Sequence, residues 1–269
     1  MVIGYLRWLD ALGNGQELAL WAALSISLYV VSAQLAWRTR NLESGFLGEN
    51  IRWLDGWRFR SLAWQLLRFL YYVVIPYGLL VGRRRLSGRA LGAVGVQPSG
   101  FLGWDAADWL NGLGWGLACG LTGLVLVGGM WWALARRLDG ETPFFLHGRP
   151  PAGMLFWDAV FLQFHWAFYR AAASTWLNEG DLAWSAFVGL LLLGLEAVGD
   201  PSLHFDTQWP SIAGGWVRLA AVAWLTTVCF TVTRNIWVAI ALHWAMTWAI
   251  NALGGYLSRW SLDASADRG

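Results

Sequence analysis

The sequence predicts an all-α protein, a polytopic membrane helical bundle with about seven transmembrane helices. Hydrophobic residues fill 57% of the 269 positions and charged residues only 13%, which is about half the charged share of a soluble domain. Several apolar runs reach the roughly 20 residues that a helix needs to span a bilayer. No polar stretch the size of a soluble domain is left over, so the lipid bilayer is the first partner that we predict.

Seven apolar segments account for this helix count, and most are closed by residues that end or bend helices. Arg38 and Arg40 follow the first segment, and Pro76 predicts a kink in the second. The Asp200–Pro201 pair is typical of a helix end after the fifth. In the third, Gly112, Gly116 and Gly120 share one face and predict close helix packing. The spans are expected at about 17–37, 62–82, 109–135, 158–176, 184–199, 216–233 and 236–255.

Composition also narrows the function classes. All basic residues are arginines, which excludes chemistry that needs a Schiff-base or P-loop lysine. The net charge is only +2, and we expect no nucleic-acid partner. Cys119 and Cys229 lie inside apolar spans and indicate neither a disulfide framework nor a metal-binding cysteine pair. Many of the 22 tryptophans flank the spans, as in the aromatic belts of membrane proteins.

The fourth span stands out because it carries four polar residues, Asp158, Gln163, His165 and Arg170. An arginine near the middle of a membrane costs at least a few kcal/mol and marks a functional site by default. The alternative is a structural ion pair, or a side chain that reaches for the interface. By sequence position, we expect Arg170 to pair with Glu196 or Asp200, or with carbonyl groups at the end of the fifth helix.

Three of the four histidines, His165, His204 and His243, lie in or at the ends of spans. A single intramembrane histidine is usually an interhelical hydrogen-bonding residue. Three histidines on separate elements favour a shared interior cavity, and we predict that the fourth, fifth and seventh helices present their polar residues to it.

These polar positions resemble the motifs of the CPBP family, also called the CAAX-protease or Abi family of intramembrane glutamic endopeptidases. Arg170 resembles the arginine of the first motif, EExxxR, and His204 in DPSLHFD lies where the second motif has its histidine. The run RNIWVAIALHWAMTWAIN is similar to the last core helix, with His243 as its histidine. Thr247 takes the Asn/Asp position, and Asn251 lies one turn further on.

The resemblance covers roughly residues 83–255 and implies a domain organisation. Residues 1–82 hold N-terminal transmembrane helices with an interfacial segment, 83–256 form a CPBP-like membrane core, and 257–269 form a polar tail. A location in a bacterial cytoplasmic membrane is expected. The catalytic residues that the resemblance implies are His165, Arg170, His204, His243, Thr247 and Asn251.

The first motif departs from the family pattern, because the two glutamate positions hold His165 and Trp166. In the family, the first glutamate is thought to activate water and the histidines to position that water or the oxyanion. A tryptophan cannot act as a general base, whereas a histidine can. The phenylalanine of the second motif is replaced by Asp200.

Four hypotheses follow from these observations. The main one is a non-catalytic or divergent CPBP-like partner in membrane protein processing, acting beside an active protease relative. The second is an active intramembrane endopeptidase that cleaves membrane or C-terminally anchored proteins, with its carboxylate from Asp158, Glu196 or Asp200. The third is a metal- or haem-binding subunit built on the three histidines. The fourth is a tryptophan-rich structural or pigment-associated subunit, so the cofactor stays open.

Overall fold

The computed structural model describes residues 12–40, 57–74, 77, 87–97, 100–135, 152–177, 182–201, 203 and 209–266. Within these residues the chain forms seven α-helices, which confirms the all-α prediction. A π-helical turn, Leu70–Val74, continues the second of them. The helices are α1 Asn14–Arg40, α2 Arg60–Phe69, α3 Ala106–Ala135, α4 Ala152–Trp176, α5 Leu182–Gly199, α6 Trp209–Thr233 and α7 Ile236–Ala266.

Five of these helices are long and apolar enough to cross a membrane, which agrees with the predicted membrane bundle. Helix α4 is not among them, because its polar residues interrupt the apolar run. The apolar part of α2 with its π-helical turn, Leu62–Val74, is shorter than a span. The five candidate spans are Asn14–Thr39, Ala106–Ala133, Leu182–Gly199, Gly215–Thr233 and Ile236–Tyr256.

The chain divides into two compact units, each built from two separate stretches of sequence. Unit 1 consists of Met1–Leu91 and Phe164–Phe205, and unit 2 consists of Gly92–Gln163 and Asp206–Gly269. Unit 1 therefore holds α1, α2, the second half of α4 and α5. Unit 2 holds α3, the first half of α4, α6 and α7.

Helices α3, α6 and α7 pack together around the apolar core of unit 2. A Cβ atom added at Gly112 or Gly116 would come within 3.1 Å of Val238, and one at Gly120 within 3.2 Å of Leu242. The predicted close approach along this glycine face is therefore confirmed, and its partner is α7. The buried core residues are Cys119, Val127, Trp131, Val222, Cys229, Val238, Leu242, Met246 and Ile250.

Two residues, Arg234 and Asn235, connect α6 to α7. Arg234 has a left-handed backbone with φ 52°. The side-chain oxygen of Asn235 accepts the backbone N–H groups of the second and third residues of α7, at 2.9 and 3.3 Å, and so caps the helix. The N–H of Ile236 donates to the carbonyl oxygen of Gly92 at 2.9 Å. Gly92 has φ +67°, and a Cβ there would lie 2.7 Å from the Arg234 carbonyl oxygen, so the position requires glycine.

Helices α1 and α5 pack closely in unit 1. A Cβ added at Gly199, the last residue of α5, would lie 2.2 Å from Val30 of α1. One residue further on, Asp200 accepts a hydrogen bond of 3.2 Å from the hydroxyl of Tyr29. The predicted helix end at Asp200–Pro201 thus coincides with the end of α5.

Candidate functional site

A buried polar cluster in unit 1 joins α4 to α5 and consists of His165, Tyr169 and Glu196. The Nε2 atom of His165 lies 3.0 and 3.3 Å from the two carboxylate oxygens of Glu196. The hydroxyl of Tyr169 donates to the same carboxylate. His165 and Tyr169 are fully buried, and Glu196 is 3% exposed. A buried carboxylate is stabilised by donors such as these, so this cluster links the two helices.

Aromatic rings surround the imidazole of this cluster. The ring centroids of Tyr71, Tyr72 and Tyr169 lie 5.7, 4.8 and 4.6 Å from that of His165. The Tyr71 hydroxyl is 2.8 Å from the carbonyl oxygen of Ser25 and 3.4 Å from Glu196. Because a hydroxyl has one proton, its main hydrogen bond is the shorter one, to Ser25. The cluster is therefore packed by rings as well as hydrogen-bonded.

This geometry determines what the cluster can do chemically. The Nε2–H of His165 donates to Glu196, which fixes the orientation of the ring. A general base must reach the proton that it removes, directly or through one water. Here the imidazole and the carboxylate bind each other and are covered by aromatic rings, so their hydrogen bond holds two helices together. The cluster is suited to holding α4 against α5.

Arg170 lies next to this cluster in the sequence and is 3% exposed. Its backbone and Cγ face Gly189 of α5, where an added Cβ would come within 2.9 Å of the Arg170 Cγ. The hydrogen bonds that the structure gives Glu196 come from His165 and the tyrosines, and Asp200 accepts one from Tyr29. The pairing of Arg170 with either acid stays a prediction.

The second polar site, in unit 2, is organised around His243, which is 4% exposed. The amide nitrogen of Gln163 lies 3.1 Å from His243 Nδ1 and 2.9 Å from the hydroxyl oxygen of Thr226. The Thr226 hydroxyl in turn donates to the carbonyl oxygen of Val222 at 2.8 Å. The Gln163 amide therefore donates to both neighbours, and the imidazole is neutral with its proton on Nε2.

His243 also lines a cavity of about 310 Å³ between α4, α6 and α7, which we call the unit 2 cavity. This volume is at the lower end of the range of small-molecule sites. Its wall combines apolar side chains with one carboxylate, one guanidinium, one imidazole and one hydroxyl. The lining residues are Leu155, Asp158, Leu162, Gly215, Trp216, Arg218, Leu219, Val222, His243 and Thr247.

Arg218 connects this cavity to Asn251. Its Nη1 donates to the Asn251 side-chain oxygen at 2.6 Å. His243, Thr247 and Asn251, all predicted site residues on α7, are thereby brought to one region of unit 2. Two other predicted site residues, His165 and Arg170, lie in unit 1.

The prediction that His165 and His243 face one cavity stays a prediction, and His204 lies outside the described residues. Within the described part of the chain, no group of three His, Cys, Asp or Glu side chains could hold a metal ion.

The roles of three residues, Tyr169, Thr226 and Arg218, were not predicted from the sequence. Tyr169 follows His165 by four residues and so lies on the same helix face. This spacing could have predicted that the two side chains lie in the same cluster. Arg218 has the signal of an arginine inside a span. Nothing in the sequence distinguishes Thr226 from the other threonines of α6.

In comparisons with protein-family models, curated proteins and solved structures, nothing matches this chain. The resemblance to the CPBP family therefore depends on the short motifs themselves.

Proposed function

We propose that this chain is a CPBP-like membrane protein that takes part in membrane protein processing as a partner, without glutamate-dependent hydrolysis of its own. The observation that carries the proposal is the hydrogen bonding of Glu196. Glu196 is the carboxylate that contacts His165 at 3.0 Å, and His165 takes the position of the first family glutamate. Glu196 is 3% exposed and already binds His165 and Tyr169, so it is a poor candidate for activating water.

The remaining residue at the first motif supports the same proposal. Trp166 takes the position of the second glutamate and is 3% exposed. An indole has a single N–H donor and no basic site. The motif thus retains buried side chains, of which His165 donates a hydrogen bond to Glu196, and this fits a chain that binds rather than hydrolyses.

One observation favours a second candidate, an endopeptidase with a rearranged site. Asp158 and His243 line the same cavity. A carboxylate and an imidazole together can activate water for hydrolysis. This candidate predicts that the Asp158 carboxylate is essential, which the partner proposal does not.

A deletion strain separates the two candidates. Processing of membrane proteins would be followed by mass spectrometry of membrane fractions after complementation with wild type, Glu196→Gln or Asp158→Asn. We expect processing to fall without the chain and to be restored within about twofold, less than 1 kcal/mol, by both variants at normal abundance. Loss of processing with Asp158→Asn alone would identify this chain as the catalyst, and unchanged processing in the deletion strain would contradict both candidates.

A further inference from the structure

The two cysteines of the chain, Cys119 of α3 and Cys229 of α6, form a buried thiol pair in the apolar core of unit 2. Cys119 is 9% exposed and Cys229 is fully buried, and both thiols are free. The two thiol groups lie within hydrogen-bonding distance of each other. Because 110 residues separate the cysteines in the sequence, only the packing of α3 against α6 brings these thiols together.

The directions of the helices explain why the two thiols face each other. A Cβ added at Gly112 of α3 would lie 3.1 Å from Val238 of α7. One added at Gly128, further along α3, would lie 3.1 Å from Leu253, further along α7. These two helices are therefore parallel. The chain reverses in the two-residue turn before α7, so α6 is antiparallel to α3.

Helices α3 and α6 also approach closely one helical turn away from the thiol pair. Gly123 follows Cys119 by four residues, and Leu225 precedes Cys229 by four, so in antiparallel helices these positions lie opposite each other as well. A Cβ added at Gly123 would overlap the side chain of Leu225. A disulfide needs Cα atoms about 4.4–6.8 Å apart. The glycine permits a helix approach of this kind.

The surroundings of the thiol pair determine which chemistry suits it. Both cysteines belong to the buried apolar cluster that includes Leu242 and Met246. Soft metal ions such as Cu(I) bind thiolates, and two thiolates around one Cu(I) leave a negative charge that is costly to bury in apolar surroundings. The neutral thioether of Met246 would not offset that charge. A disulfide is uncharged, so the pair is better suited to oxidation than to metal binding.

We propose that Cys119 and Cys229 are oxidised to a disulfide that links α3 to α6, with a membrane-soluble quinone as the oxidant. Two S–H bonds break and one S–S bond forms, while two electrons and two protons pass to the quinone and yield a hydroquinone. A lipid-soluble oxidant fits a thiol pair that is buried among apolar side chains. The proposal concerns unit 2 and does not depend on the partner function, which rests on Glu196 in unit 1.

Oxidation of the pre-reduced, detergent-purified full chain tests this proposal. The chain would be incubated without oxygen with a short-chain ubiquinone, whose fully substituted ring has no free position for thiol addition. It would then be unfolded in excess N-ethylmaleimide and measured by intact mass spectrometry. We expect both thiols to be alkylated without quinone and neither after it, with one hydroquinone formed per chain. Alkylation of both thiols after quinone treatment would overturn the proposal.

A matched control keeps two thiols in the chain but separates them. Leu121 of α3 is 56% exposed, so the double variant Cys119→Ala/Leu121→Cys places a thiol on another face of the same helix. Its monomer should keep both thiols open to alkylation after quinone treatment. Disulfide formation within this monomer as complete as in wild type would show that oxidation does not need the facing pair, and would overturn the proposal.

The thermal midpoint gives a second measurement of the same link. Oxidised wild type should unfold several degrees above reduced wild type, because a disulfide that closes a long loop constrains the unfolded chain. In Cys119→Ser and Cys229→Ser, quinone should leave the midpoint unchanged. An equal or lower midpoint for oxidised wild type would show that the disulfide distorts the packing of α3 against α6, and would overturn the facing geometry on which the proposal depends.

Discussion

Arg170 carries a permanent charge inside α4, and only 3% of its surface is exposed. Arg68 has the same charge on α2, but its guanidinium lies over the ring of Tyr72, 5.8 Å from the ring centroid, and the residue is half-buried. Removing a buried charged side chain disrupts the hydrogen bonding and packing around it, at a cost of about 3–5 kcal/mol where a buried ion pair is broken.

We therefore expect Arg170→Ala to lower the thermal midpoint in detergent by several degrees more than Arg68→Ala does. Differential scanning fluorimetry of the two variants beside wild type measures the difference. Equal and small shifts would show that Arg170 reaches the interface as Arg68 can, and α4 would then lose its main evidence for a functional interior.

The polar residues of α4 show how far single residues could be assigned from the sequence. Exposing a charged or polar side chain to lipid is costly, so these residues were expected in the protein interior. His165 and Arg170 are indeed buried. The partner of His165 could not be predicted, because Glu196 lies 31 residues away on another helix. Such a pairing depends on how α4 and α5 pack, which hydrophobic periodicity does not determine.

At the scale of helices, two of the three glycines of α5, Gly189 and Gly194, have different surroundings. A Cβ at Gly189 would meet Arg170 of α4 at 2.9 Å from its Cγ and 3.3 Å from its backbone, whereas a Cβ at Gly194 would meet nothing within 4 Å. Close helix contacts in membranes depend on small residues at such positions. Alanine also stabilises an exposed helix position by about 1 kcal/mol relative to glycine.

The substitution Gly189→Ala should therefore lower the thermal midpoint, and Gly194→Ala, on the same helix, should leave it unchanged or raise it. Both would be measured in the same detergent with wild type as the reference. A midpoint for Gly189→Ala equal to that of Gly194→Ala would mean that α4 and α5 are not in close contact at this point.

Helix ends were less predictable than helix positions. The end of α5 was predicted because Asp200–Pro201 interrupts the helix. Helix α4 begins at Ala152, six residues before the predicted span, and α7 continues to Ala266, through most of the predicted polar tail. The sequence spans follow the apolar run, whereas the backbone hydrogen bonds of a helix continue into polar residues until a cap or a proline ends them.

At the scale of the whole molecule, the membrane class was predicted from the low share of charged residues, 13%, and from the long apolar runs. Among the described residues, many large hydrophobic side chains are exposed on the candidate spans, including Leu117, Val125 and Leu126 of α3. Patches of this kind require lipid or protein cover. The two compact units were not predicted, because each combines distant parts of the sequence.

We expect the chain to remain in the membrane pellet after extraction with alkaline carbonate, and to become soluble only in detergent. Immunoblotting of the two fractions measures this, with a peripheral membrane protein as the control that carbonate releases. Release of this chain by carbonate would contradict the assignment of its apolar helices as spans.

The two-residue connection between α6 and α7 also has a consequence for membrane sidedness. Both helices are candidate spans, and the chain reverses its direction between them at Arg234 and Asn235. The turn therefore lies on one side of the bilayer, and the far ends of both helices lie on the other side. The start of α6 and the end of α7 therefore share one aqueous compartment. Gly92, whose carbonyl oxygen binds the first residue of α7, belongs with the turn on the opposite side. The tight turn thus assigns the 92–97 segment and the C-terminal end of α7 to different compartments.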